Sequence, residues 1–321
     1  MEKKKTAIII LNYNNSSDTI NCIESVERYN TAPVKYIVVD NGSTKTQVID
    51  DIDRFLHDTF KDGYARLSDT QTPIGRLPKA SFVVSNTNDG YARGNNKGLR
   101  FAYADDEIDK ILILNSDILF VEDIIPRLRN DLETLNDAVI VSPVLYKKDL
   151  KGIDYTCSRK ALTLKQRLIL YAMLFKDVCG VITKIKNSNN LLYGRKIPVT
   201  GNILEIELPS GSCMLLDKQF FMDIGSFDEN TFLYCEEDIL FEKIKKLGRK
   251  NYLDTSLKCI HLGATTTKSQ APSRFILKCS INSNHYLLTH YSNAGKLYLL
   301  AMKFFYFLLL MKLNLKILIK H

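Results

Sequence analysis

The chain has 321 residues, enough for a substantial core, and its 45% apolar and 25% charged composition excludes disordered and fibrous classes. The formal net charge of +8 is uneven: residues 159–196 hold nine Lys and Arg and one acid, residues 255–321 hold nine and no acid, and the remainder carries 26 bases against 35 acids. An acidic body with two basic, apolar attachments argues against a uniformly basic nucleic-acid binder.

Taken in chain order, the basic start Met1–Lys5 is followed by a short apolar run, Thr6–Leu11. That run is too short for a secretory signal core, which needs about 7–15 residues, and reads as a buried strand. Ser16-Ser-Asp18 offers a helix cap, with Ile20, Ile23 and Val26 at helical spacing behind it. Tyr36–Val39, Ser81–Val84 and Ile111–Leu114 read as further strands, and Gly94–Ala104 as a helix. Continuous apolar strands between helices predict an α/β fold with a mostly parallel sheet covered on both faces. Residues 61–80 read as a polar loop, residues 151–200 as a basic, apolar insertion, and Ile239–Leu247 as a helix closed by Gly248. The seven cysteines are scattered and odd in number, with no C-x-x-C pair, so buried free thiols are expected.

Polar residues follow four successive strands: Asn12 and Asn14, Asp40-Asn-Gly-Ser43, Asn86 and Asn88, and Asn115-Ser-Asp117. Each alone is an ordinary turn. Together they predict a polar ligand at the carboxyl ends of the strands, where open α/β sheets bind. Asn88-Asp-Gly-Tyr-Ala-Arg-Gly-Asn-Asn-Lys-Gly98 matches neither a dinucleotide fingerprint nor a P-loop. Asp117 is placed to hold a hard divalent cation against phosphates. Three acids, Glu236-Glu-Asp238, open a helix, and crowding suits one of them to general-base work. His261 lies in an apolar run, where a core role competes with a ligand role.

Ile10-Leu-Asn-Tyr-Asn14, Val38-Val-Asp-Asn-Gly-Ser43, the Asn88–Gly98 segment, Leu114-Asn-Ser-Asp117, Ser210-Gly-Ser-Cys-Met-Leu-Leu216, Gly225-x-Phe-Asp-Glu229, Phe232-x-Tyr-x-Glu-Glu237 and Ile260-His-Leu262 occur in that order. The series resembles glycosyltransferase family 2, in its rhamnosyltransferase-like branch of bacterial surface-polysaccharide enzymes. The resemblance implies a GT-A fold over about residues 1–265, a UDP- or dTDP-sugar donor, Mg2+ or Mn2+ and inversion at the anomeric carbon, and the basic, apolar segments suggest a lipid-linked saccharide acceptor at the membrane. By motif, it implies base and ribose contacts from Asp40, Asn12 and Asn14, and donor contacts from Asn88, Asn95 and Asn115. Gly211 and Ser212 fall under the donor sugar, Asp117 and His261 at the metal. Glu237 is the base, with Asp238 in its place if the register slips by one. The metal motif has one carboxylate, and without tryptophan the processive Q-x-x-R-W motif is absent, so single-sugar transfer is expected. A non-catalytic nucleotide-sugar binder or scaffold of the same fold is the alternative.

The stretch 266–321 is expected to be a helical attachment. Its longest uncharged run, Phe304–Met311, is far below the ~20 residues of a span. An interfacial helix at the cytoplasmic membrane face is expected, with Leu162–Ile185 docking beside it.

Overall fold

The computed structural model describes residues 4–73, 75–178, 197, 201–263 and 273–320. The amino-terminal half alternates strands and helices: β1 Lys5–Asn12, α1 Ser16–Tyr29, β2 Val34–Asn41, α2 Thr46–Phe60, β3 Tyr64–Ser68, β4 Ala80–Ser85, α3 Gly90–Ala104, β5 Ile108–Asn115. These strands are all parallel, in spatial order β3-β4-β2-β1-β5. β6 Ile118–Phe120, α4 Ile125–Thr134 and β7 Ala138–Lys147 follow. After the short β8 (Ser158–Arg159) and α5 (Leu164–Val178) come β9 Ile203–Ile206, β10 Leu208–Pro209 and β11 Cys213–Asp217. α6 Lys218–Asp223, α7 Glu236–Lys246, β12 Lys250–His261, α8 Ser273–His290 and α9 Lys296–Lys320 complete the chain. β11 inserts antiparallel between β5 and β7, which extends the sheet to β12 and β6. The mostly parallel α/β architecture agrees with the sequence reading.

Alternation in β1 explains the layering. Ile8 and Ile10 enter one core with Cys22, Ile23 and Val26 of α1, while Ala7 and Ile9 enter the other with Ala92 and Leu99 of α3. A third cluster lies apart from the sheet: Tyr171 of α5, Ile281 and Leu288 of α8, and Met302, Tyr306 and Leu309 of α9. The insertion helix and the carboxyl-terminal helices thus form one packed unit. The part of Leu162–Ile185 beyond Val178 lies outside the described residues.

Three local expectations shift. Asn15, not the Ser16–Asp18 trio, caps α1, its side chain accepting from the Asp18 N–H. α3 starts at Gly90, one turn before Gly94, because Gly90 takes φ +82° directly after the Asn88 turn. The 61–80 loop carries edge strand β3, whose alternation is weak because it is mostly half-exposed. Gly248 closes α7 at φ +66°, as its position predicts. The described cysteines are unpaired thiols, and Cys179 lies outside the described residues.

Candidate active site

One cavity of about 1040 Å³ opens at the carboxyl ends of β1, β2 and β5. Asn12, Asn14, Asn88, Asn115, Asp117, Gly211, Ser212, Glu237, Asp238 and His261 all line it. Asp40 and Asn95 do not reach its surface. Asp40 is fully buried, accepting from Asn12 Nδ2 (2.7 Å), Ser43 Oγ (2.6 Å) and Ser43 N–H (2.9 Å). Asn95, 1% exposed, donates to the Tyr91 carbonyl at 2.9 Å within its helix. Both brace the wall from behind, and Asn41, beside Asp40, takes a place on the surface.

The polar wall is fixed by mutual hydrogen bonds. Asn12 Oδ1 accepts from Thr19 Oγ1 at 2.9 Å. Asn14, at φ +55°, accepts from the Thr44 N–H at 2.8 Å. Asn41 Nδ2 donates to Asn88 Oδ1 and to the Gly90 carbonyl, both at 3.0 Å. The Tyr91 N–H donates to the Phe232 carbonyl at 2.9 Å. A Cβ on Gly90 would lie 2.0 Å from that same oxygen, so only glycine fits there.

Asn115 and Asp117 end the apolar β5. The Asn115 N–H donates to the Ser212 carbonyl at 2.8 Å, which ties this end to the loop before β11. Asp117 Oδ2 lies 3.3 Å from His261 Nε2, and His261 Nδ1 is 2.8 Å from Asp154 Oδ2. Burial disfavours the imidazolium, but the two carboxylates outweigh it and raise His261 to about 9. Asp154, despite its own burial, is held down at about 2 by hydrogen bonds from His261 and Thr156. Among the described residues no three His, Cys, Asp or Glu side chains converge on one point. The pair nevertheless fits a divalent ion. Asp117 supplies a hard oxygen, and His261 supplies Nε2 with its other nitrogen oriented by a carboxylate. A bound diphosphate would complete the oxygen set.

The opposite wall carries the acids. Tyr234 and Cys235 are consecutive left-handed residues, at φ +76° and +68°, and turn the chain sharply into α7. Glu237 Oε1 accepts from the Gly211 N–H at 3.0 Å, and Oε2 pairs with Arg159 Nη2 at 3.0 Å. Tyr91 Oη donates to the Gly211 carbonyl at 2.6 Å. A Cβ on Gly211 would meet Tyr91 Oη at 2.7 Å and Glu237 Oε1 at 2.9 Å. Asp238 accepts from Arg167 Nη2 and is more buried than Glu237. Burial, with the Glu237 carboxylate adjacent, pushes Glu236 up to about 8.

Sequence reasoning missed Asp154, Arg159, Arg167 and Tyr91. The first three lie in the stretch read only as a basic insertion, and two of its cations turn inward onto the acids. Leu170 and Tyr171 of α5, and Phe275 and Ile276 of α8, add an apolar margin to the cavity, beside the polar Ser280 and Asn284 of α8.

Residues 7–184, more than half of the chain, match glycosyl transferase family 2. The chain belongs to that family. A curated relative, the low-salt glycan biosynthesis hexosyltransferase Agl10 of Haloferax volcanii, is 21% identical over 232 residues, covering 72% of this chain. The match spans 58% of that relative's length. The family 2 chain also resembles two solved structures. One is GalNAc-T7 with UDP, GalNAc and Mn2+, at TM-score 0.53 and 12% identity, covering 81% of this chain and 44% of that one. The other is the mannosyltransferase PcManGT from Pyrobaculum calidifontis with GDP-Man and Mn2+, at TM-score 0.52 and 13% identity, covering 96% and 72%. At these identities the likeness establishes the GT-A fold.

Proposed function

We propose that the chain is an inverting, metal-dependent glycosyltransferase. It moves one hexosyl or deoxyhexosyl unit from a nucleotide-diphosphate sugar, UDP- or dTDP-linked, to a hydroxyl of a lipid-linked saccharide in surface-polysaccharide synthesis, as in the rhamnosyltransferase-like branch. The observation that carries this reading is the arrangement of one cavity. Its amide-rich wall at the strand ends suits a nucleoside, Asp117 and His261 suit a diphosphate with its cation, and Glu237 is held opposite by two fixed partners.

In this reading Asn12, Asn14 and Asn88 bound the nucleotide pocket, and Asp40 and Asn95 hold that pocket in shape. Asn115, Gly211 and Ser212 lie under the transferred sugar. Glu237 takes the proton from the acceptor hydroxyl as its oxygen attacks the anomeric carbon from the face opposite the leaving group. The Gly211 N–H and Arg159 fix the direction of that carboxylate. Asp238, engaged by Arg167, orients the arginine and is the weaker candidate for the base. Asp117 and, once Nε2 has lost its proton, His261 would hold a divalent ion, which when bound would supply charge neutralisation for the diphosphate. Mn2+ and nucleotides in the two similar structures support this part of the reading.

Residues 1–265 form the GT-A unit in this reading, with 151–200 as its insertion, and 266–321 attach it to the cytoplasmic membrane face. The test is a panel of UDP- and dTDP-sugars with Mn2+ or Mg2+, scored by nucleoside-diphosphate release and by the anomeric configuration of the product. Donor binding without release under every condition would favour the non-catalytic binder.

A further inference from the structure

α9 is apolar on two opposite faces, and among the described residues only one of them is packed against the rest of the chain. Met302, Tyr306 and Leu309 are at most 5% exposed, packed on α5 and α8. Leu297, Leu300, Phe304, Phe307 and Met311 are 83%, 65%, 60%, 60% and 44% exposed. Their spacing of three and four residues aligns them in one stripe, opposite the packed face. At about 100° per residue, Lys296 and Lys303 fall along one edge of the stripe and Lys312 along the other. Isolated exposed apolar residues are ordinary, but an unbroken stripe of this length marks an interaction surface.

The charge pattern selects the occupant. From residue 255 onward the chain has nine Lys and Arg and no Asp or Glu. A second copy docked on the stripe would bring like charges together along both edges. An anionic lipid surface would instead accept the leucines and phenylalanines among its acyl chains and the lysines among its headgroups.

The other face decides the orientation. Lys296–Asn314 is long and apolar enough to cross a membrane by length and composition, with mean hydropathy 1.5. Yet Tyr306 Oη accepts from Asn284 Nδ2 at 2.5 Å, and Asn284 Oδ1 accepts from Arg167 Nη1 at 2.8 Å. Arg167 in turn holds Asp238. Threading α9 through a bilayer would break this buried polar chain and carry Lys303 and Lys312 into hydrocarbon.

We propose that the Leu297–Met311 stripe of α9 docks in the plane of an anionic bilayer surface, with the opposite face of the helix remaining part of the enzyme. The proposal deepens the membrane-proximal part of the function above: α5 and α8, which line the acceptor side of the cavity, would sit about one helix diameter, ~10 Å, from the lipid.

The experiment is co-sedimentation of the full chain with vesicles of phosphatidylcholine alone or with 30% phosphatidylglycerol. Wild type is expected to bind the anionic vesicles at least tenfold more tightly. Phe304→Glu/Phe307→Glu should weaken that binding about 100-fold or more. Lys296→Gln/Lys303→Gln, which alters only exposed lysines and so spares folding, should weaken binding to anionic vesicles alone, by about fivefold per lysine. Melting temperature reports the fold of each variant, and nucleoside-diphosphate release with a water-soluble acceptor reports the catalytic reading separately. Unchanged vesicle binding in both variants would overturn the proposal. So would a wild-type dimer that the phenylalanine variant dissociates while vesicle binding stays intact. Retention in vesicles through alkaline extraction would overturn the in-plane orientation in favour of a span.

Discussion

Asn12, Asn14, Asn41 and Asn88 enter the cavity from strand ends, with side chains already bonded to neighbouring loops. Arg159 and Arg167 enter from outside the main sheet, and their task is to hold Glu237 and Asp238. The first wall is pre-organised by amides bonded to one another and to the buried Asp40 across strand-end loops, so it presents shape and hydrogen bonds to the cavity. The second is assembled from paired charges contributed by distant segments, so its geometry depends on each partner being present. The two walls therefore differ in how damage spreads. Loss of one amide disturbs a loop, whereas loss of one arginine leaves a carboxylate beside the chemistry without its counter-charge.

The largest effect sharpens this contrast at its centre. Glu237→Gln keeps an acceptor for the Gly211 N–H but removes the base of the proposed mechanism, so transfer should fall about 10²–10⁴-fold with melting temperature unchanged. If Asp238→Asn abolishes transfer while Glu237→Gln retains it, the base assignment moves by one residue. Asp117→Asn should lower transfer by ~10²-fold or more, and a Mn2+ titration of product release should show the lost dependence. Arg159→Gln should reduce kcat about tenfold with a smaller change in KM, because the pair is partly exposed and its loss is correspondingly discounted. Arg159→Lys should not restore full rate if the planar geometry of the guanidinium matters. Equal kinetics in wild type and Arg159→Gln would erase the difference between the walls.

Gly211→Ala should cost ~1–3 kcal/mol of stability in denaturant unfolding, since its Cβ meets Tyr91 Oη and Glu237 Oε1 too closely. The smallest effect is a pH dependence. Glu236 has a folded-state pKa raised to about 8 by burial and by Glu237. Its favourable contribution is complete below the unfolded-state value and is lost as pH rises through about 8. Glu236→Gln should therefore gain stability relative to wild type progressively as pH climbs from 5 through about 8. A pH-independent difference in melting temperature would refute the buried neutral acid.

The amide wall was legible in the sequence because its signals are local. Asn12, Asn88 and Asn115 each follow an apolar strand within a few residues, and strand periodicity with turn chemistry places them together. The charged wall was half legible. The acids of 236–238 stand out as a run, but Asp154 meets His261 across 107 positions and Arg167 meets Asp238 across 71. Nothing in the local pattern around Arg159 or Arg167 separates an inward cation from an outward one. The mixed apolar and basic character of Leu162–Ile185 suggested a segment docking beside the terminal helix at the lipid, whereas Arg167 within it pairs with Asp238. Strand β3 escaped notice for a related reason: an edge strand with one buried residue, Leu67, shows almost no alternation.

Gly90 carries a consequence for how the two walls are joined. Its backbone sits so close to Phe232 that no side chain fits between them, and the next N–H is bonded to the same carbonyl. The Asn88–Tyr91 turn and the Phe232 segment that leads to the acids are thus held in direct backbone contact. Position 90 therefore couples the amide wall to the acid wall, because any side chain placed there would push the two apart.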